Sequence, residues 1–153
     1  MIFQNSVPLA NLARIGKLKT EPPDARERAG LLHSATVRLQ DARQTILSLE
    51  SRFDLAYNAA HAAALSALRW HGYRSENRYL VFQCLEHTLG FTPEQWLLLN
   101  QAHNKRNLAE YEGELDVTAG FVAELIENVA HLIAASQSLE IAHDGATRTV
   151  PPP

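Results

Sequence analysis

Residues 51–72 read Ser51-Arg52-Phe53-Asp54-Leu55-Ala56-Tyr57-Asn58-Ala59-Ala60-His61-Ala62-Ala63-Ala64-Leu65-Ser66-Ala67-Leu68-Arg69-Trp70-His71-Gly72, and this stretch decides the fold. Phe53, Ala56, Ala60, Ala63, Ala67 and Trp70 recur at intervals of three and four, which lays them along one stripe of an α-helix. The other alanines, Ala59, Ala62 and Ala64, keep the remaining faces slim, so a neighbouring helix can approach closely and this helix is expected at the centre of a bundle. Gly72 ends it as a C-terminal cap. Upstream, Leu32, Ala35, Leu39, Ala42, Ile46 and Leu49 keep the same rhythm, and neither Gly nor Pro occurs between Leu31 and His71. Asp24 with Glu27 has the form of a capping box, and Ser51 with Asp54 offers a second, which puts a break near Ser48–Ser51. Two helices, or one bent one, fill the span.

Outward from this core the chain divides readily. Residues 1–23 carry a short apolar pattern, Leu9, Leu12, Ile15 and Leu18, broken by Gly16 and stopped by Pro22 and Pro23, and predict a mobile arm with a helical turn or two. A third helix is expected from Ser75 to about Leu89, with Leu80, Val81, Cys84, Leu85 and Thr88 or Leu89 inward and Gly90 closing it. Thr92-Pro93-Glu94-Gln95 sets a cap, a proline at the first helical position and a return partner, so a fourth helix runs from Pro93 to Glu112 and stops at Gly113. Asp116 or Thr118 opens a fifth to about Leu139, with Phe121, Leu125, Val129 or Asn128, Leu132 and Ala135 inside. Residues 143–153, ending in three prolines, read as a disordered tail. The fold class is all-α: an antiparallel bundle of about five helices over residues 24–142, with no strand pattern and no internal repeat.

The 153 residues amount to one domain, with 46% hydrophobic and 20% charged residues, as in ordinary globular proteins. A net charge of −3 supplies no bulk field for nucleic acid or anionic membrane, so any RNA contact has to be local. The start lacks the basic and apolar regions of a signal peptide, and no apolar run approaches the ~20 residues that span a bilayer. One cysteine, Cys84, excludes an intramolecular disulfide and suits a reducing, cytoplasmic setting.

Seven histidines raise the question of a metal, but the Glu-x-x-His spacing of helical di-metal sites occurs once, at Glu140 and His143, and Glu127 with His131 at i and i+4 reads as a surface pair. No metal and no cofactor is expected. Phosphate loops, nucleophile elbows and His-Glu-x-x-His are absent. Arg69, Arg74 and Arg78 cluster around the Gly72 turn, where arginines commonly offset the negative end of a helix dipole and less commonly form a phosphate patch. The remaining concentration of polar groups is His103-Asn104-Lys105-Arg106-Asn107-Leu108-Ala109-Glu110-Tyr111-Glu112-Gly113. On a helix Arg106 pairs with Glu110, His103 stands a turn before Arg106 and Asn107 a turn before Tyr111, giving a polar ridge that is either a solvated face or a small site.

Arg106-Asn107 followed by three residues and Tyr111, together with the alanine-rich helix opening Ser51-Arg52-Phe53-Asp54-Leu55-Ala56-Tyr57-Asn58-Ala59-Ala60, resembles the HEPN superfamily over about residues 30–140. The resemblance implies an all-α homodimer, RNA-associated and drawn from toxin–antitoxin, defence or RNA-processing systems, in which an Arg-x(4–6)-His motif forms a metal-independent RNase site from two chains. Here no histidine follows Arg106 at that distance, and Tyr111 stands with Glu110 and Glu112 in its place. Tyrosine, with an ordinary pKa near 10, holds its proton at neutral pH, and flanking carboxylates repel an RNA phosphate. The resemblance therefore implies a catalytically degenerate dimer that binds a partner protein such as a nucleotidyltransferase-like chain, a nucleotide or RNA. It assigns Arg106, Asn107 and Tyr111 to the motif site, with His103, Glu110, Asp54, Asn58 and Tyr57 as ligand-binding residues. The alternatives are an RNase in which those motif residues still carry cleavage, and a helical adaptor without a ligand site.

Overall fold

Asp24 takes extended backbone (φ −135°, ψ 105°) and its carboxylate accepts from the N–H groups of Arg26 and Glu27, which starts helix α2 (Ala25–Ala42). In the computed structural model, which describes the backbone of residues 7–149 and the side chains of residues 7–142, this helix and its successor form two separate rods. Ser48, not Ser51, caps α3 (Leu49–Trp70) by accepting from the Ser51 N–H. Arg52 then reaches back to donate to the Ala42 carbonyl at 2.8 Å, satisfying an orphan acceptor at the end of α2. The stripe thus breaks after Ala42, and Ile46, in the turn, is 92% exposed.

The alanines do what their size permits. Ala56, Ala59, Ala60, Ala63, Ala64 and Ala67 are all buried, and α3 is flanked by α2 and by the last helix, α7 (Ala119–Thr149). Close approach is visible at Ser136 of α7, whose Oγ donates to the Ala63 carbonyl at 3.1 Å. Thr118 opens α7 by accepting from the Phe121 N–H, and Val122, Leu125, Val129 and Leu132 are wholly buried. The helix runs ten residues beyond the expected end at Leu139, so the expected tail is helical through Thr149; Val150–Pro153 lie outside the described residues. Its segment Ala119–Ala142, mean hydropathy 1.2, is long and apolar enough by composition to cross a membrane, which the shorter apolar runs did not suggest. Its apolar face is spent on the bundle core.

The first helix, α1 (Val7–Arg14), and the two-residue strand β1 (Lys19–Thr20) are docked, not mobile. Leu9 is fully buried, Leu18 nearly so, and β1 pairs antiparallel with β2 (Tyr73–Arg74) in the register Lys19↔Arg74 and Thr20↔Tyr73. The reason lies in Arg69, a buried cation whose Nε donates to Glu27 at 2.6 Å and whose other nitrogens donate to the carbonyls of Pro22 (2.6 Å) and Glu21 (3.0 Å). Arg74 pairs with Glu21 at 2.8 Å and also with Glu27. Glu27 therefore does not return to Asp24 as a capping box requires. Its carboxyl is held below its ordinary range chiefly by the Arg69 hydrogen bond, with Arg74 adding to it. Residues 1–6 of the expected arm lie outside the described residues.

The expected helix over Ser75–Leu89 is two short pieces, α4 (Arg78–Gln83) and α5 (Leu85–Thr88), and its cap is Asn77, whose Oδ1 accepts from the Leu80 N–H. Between them the Cys84 carbonyl accepts from both His87 and Thr88 at 2.8 Å, a tightened turn. Helix α6 (Pro93–Glu112) follows its sequence signals closely: Thr92 and Gln95 form the reciprocal capping box, and Gly113 at φ 74° ends it.

Candidate functional site

Three elements meet at one face. From α3 come Tyr57 and Asn58, from the start of α4 Arg78 and Tyr79, and from α6 His103, Arg106, Asn107 and Glu110. Helix α6 presents His103, Arg106 and Asn107, and Glu110 one turn after another, as the three-and-four spacing requires. Tyr57 is the centre. Its ring is 1% exposed, packs edge-on to Phe82 at 5.8 Å and carries two guanidinium groups, Arg106 at 5.1 Å and Arg78 at 5.5 Å from its centroid.

A hydrogen-bonded chain runs from Tyr57 outward. Tyr57 Oη lies 3.0 Å from His103 Nδ1, and the Asn107 amide nitrogen lies 3.0 Å from His103 Nε2. With Asn107 donating to Nε2, the ring proton sits on Nδ1 and is donated to Tyr57 Oη. Burial, then the charges of Arg106 and Arg78, push His103 below the ordinary histidine range, so the imidazole is neutral at pH 7. Burial likewise raises Tyr57, which keeps its proton. Both nitrogens of the one imidazole in the ridge are thus occupied, and no deprotonated phenol is at hand to substitute.

The two arginines differ. Arg106 donates to Glu110 at 3.2 Å, a pair whose carboxylate side chain is 65% exposed. Arg78 has no carboxylate partner among the described residues; it donates to Asn58 Oδ1 at 3.0 Å, and Asn58 in turn donates to the Asp54 carbonyl. Beside them the half-buried Tyr79 packs its ring against His103 at 5.6 Å. A second histidine, His61, lies one turn along α3 from Tyr57, edge-on to Phe82, with its Nε2 buried and unpartnered. Burial first, then Arg78, lowers it to about 4.

The sequence-derived residues are not all gathered here. His103, Arg106, Asn107, Glu110, Tyr57 and Asn58 converge. Tyr111 is 92% exposed, one residue round the helix from Glu110 and away from the Tyr57 ring, and Asp54 is exposed and contributes its carbonyl alone. Arg78 and Tyr79 were missed as site members. Spacing in the sequence groups Arg78 with Arg69 and Arg74, but those two are consumed by Glu21 and Glu27 while Arg78 points to α3. No local pattern distinguishes the three arginines; the turn at Asn77 does. For metals, Glu140 is taken by Arg28 through two bonds of 2.7 and 3.2 Å, Glu127 by Arg43 at 3.1 Å, and no group of three potential ligands forms among the described residues. The His143 side chain lies outside the described residues.

Comparison with protein-family models, with curated proteins and with solved structures gives no match.

Proposed function

We propose that this chain is a HEPN-like helical dimer that binds a phosphate-bearing ligand, a nucleotide or RNA, on the face carrying Arg78 and Arg106, and does not cleave it. The observation that supports this is the pair of guanidinium groups over the Tyr57 ring, one of them without a carboxylate partner among the described residues. Guanidinium forks match phosphate oxygens in pairs, and the neighbouring Tyr79 ring offers a stacking surface for a base. Cleavage of RNA needs a base to take the 2′-hydroxyl proton. The engaged nitrogens of His103 and the distant Tyr111 speak against it.

Self-association is supported by α6 itself. Lys105 precedes Glu112 on the face that carries Leu108, 53% exposed, with Tyr111 bare beside it, while Arg106 and Glu110 stand on the opposite face over Tyr57. Two such helices crossing antiparallel about Leu108 set cation against carboxylate on both sides, the self-complementary pattern of a two-fold interface.

The test is fluorescence anisotropy of a labelled single-stranded RNA at low salt, with AMP as competitor and the RNA then run on a denaturing gel. Saturable binding that weakens tenfold or more in Arg78→Ala and Arg106→Ala, with intact RNA, is expected. No binding by the folded wild type overturns the ligand class, and cleavage that Arg106→Ala abolishes restores the nuclease reading.

A further inference from the structure

The Arg78–Arg106 face is small and fenced by carboxylates. Both guanidinium groups are held against the one Tyr57 ring, at 5.5 and 5.1 Å from its centroid, so a single phosphate group can engage the two together. Arg78 is fixed by a neutral partner, Asn58 Oδ1 at 3.0 Å, and keeps its whole charge, whereas Arg106 shares its charge with Glu110 at 3.2 Å. A second carboxylate, that of the exposed Asp54, stands one turn of α3 before Asn58. Other basic side chains on the same elements and their neighbours do not extend the face. Arg69 and Arg74 are closed in ion pairs with Glu21 and Glu27, Arg52 turns to the Ala42 carbonyl, and Lys105 leaves α6 toward the Asp116 carbonyl and the Phe121 ring. Two cations, one carboxylate in contact and a second a helical turn away make a spot, not a track along which a polyanion lies.

Building on the phosphate reading of this face, we infer that it takes a terminal phosphate monoester, at the end of an RNA strand or on a mononucleotide, in preference to an internal phosphodiester. Oxygen count is the first reason. A monoester has three terminal oxygens, enough for a fork from one arginine and a bond from the other, whereas a diester has two non-bridging ones. Charge is the second. To reach Arg106 a ligand displaces Glu110, and a diester then exchanges one single negative charge for another. A monoester, with a second pKa of about 6, brings nearly two charges at pH 7.5 and wins that exchange. The fence is the third. An internal phosphate has a charged neighbour on each side, and a strand crossing the face carries one of them toward Glu110 on α6 or Asp54 on α3. A terminal phosphate has a neighbour on one side alone, or none.

Two pairs of probes differ only at the phosphate: AMP and its phosphate methyl ester, and one short RNA with either a 5′-phosphate or a 5′-hydroxyl, labelled at its 3′ end. In anisotropy at low salt and pH 7.5, the phosphorylated RNA is expected to bind about tenfold more tightly than the hydroxyl form, and AMP to displace it about tenfold better than the methyl ester. Glu110→Gln keeps the helix and removes the competing charge, so the weaker member of each pair should gain more, and the ratio should narrow to about fourfold. A preference seen in the RNA pair with little displacement by AMP supports the strand end as the source; strong displacement by AMP with a weak RNA pair supports the mononucleotide. Equal binding within both pairs, or a ratio that Glu110→Gln leaves unchanged, overturns the selection for a terminal phosphate while the phosphate face stands. No binding of any probe by the folded wild type overturns the face and the selection together.

Discussion

Glu110 occupies the position a ligand phosphate would want beside Arg106, and it does so from an exposed helix face. An exposed pair of this kind is worth about 0.5 kcal/mol, too little to fix the arginine against a better anion. Glu110→Gln removes both the competitor and a repelling charge, so affinity for RNA or AMP should rise two- to fivefold in the anisotropy assay; a fall would mean that Glu110 orients Arg106 for binding. His61 makes the residue scale testable without a ligand. Its folded value of about 4 lies below the ~6.5 of an unfolded chain. As pH falls from about 6.5 toward 4, the unfolded chain takes a proton that the folded one refuses, so stability declines across that window, by at most about 3 kcal/mol, and is fully present above it. Urea unfolding of the wild type and His61→Leu at pH 7.5 and 4.5 should show the gap between them shift toward the variant at the lower pH. A gap independent of pH would remove the buried imidazole from the account.

At the scale of elements, α3 sets the spacing of the bundle by the smallness of its side chains. Ala63 is wholly buried where Ser136 of α7 bonds its carbonyl. Ala63→Leu inserts atoms where helices touch and should cost about 1–3 kcal/mol, a fall in Tm of several degrees, whereas Ala134→Leu on the exposed side of α7 should change Tm little. Equal effects would mean that the alanines are not what holds α7 close. Elements of this sort were legible beforehand because periodicity and caps are local: the stripe of α3, the Thr92–Gln95 box and the Gly113 stop each need only their neighbours. Legibility failed where a distant group decided. Glu27 looked like a cap partner until Arg69, 42 residues away, claimed it, and residues 7–23 looked loose because the cation that fastens them belongs to α3. The same holds for the candidate site. His103, Arg106 and Asn107 announce themselves by spacing on one helix, while Arg78 becomes their neighbour only through the turn at Asn77, and Tyr111 drops out because a helix rotates each successive residue by 100°.

For the whole molecule, the question is whether α6 is an outer surface or a seam. Sedimentation at micromolar concentration should give twice the mass of the 153-residue chain, and Leu108→Lys, which sets like charges facing at the midpoint, should give the monomer with its helical circular dichroism intact. A wild type that sediments as a monomer would confine the phosphate face to a single chain. The fastening around Arg69 has a different consequence, one in time. Its partners are 42, 47 and 48 residues distant, so nothing can secure residues 19–23 until α2 and α3 have already come together. The strap should therefore close last and open first. In hydrogen exchange, the Glu21 amide, bonded to the Gly72 carbonyl at 3.0 Å, should exchange by a partial opening well ahead of the amides in the middle of α3, and Arg69→Met should speed it further while α3 stays slow. The chain would then possess a hinged end whose latch is a single buried guanidinium, and each unlatching would lay bare the ladder edge at Tyr73–Arg74 for a moment before the end folds back.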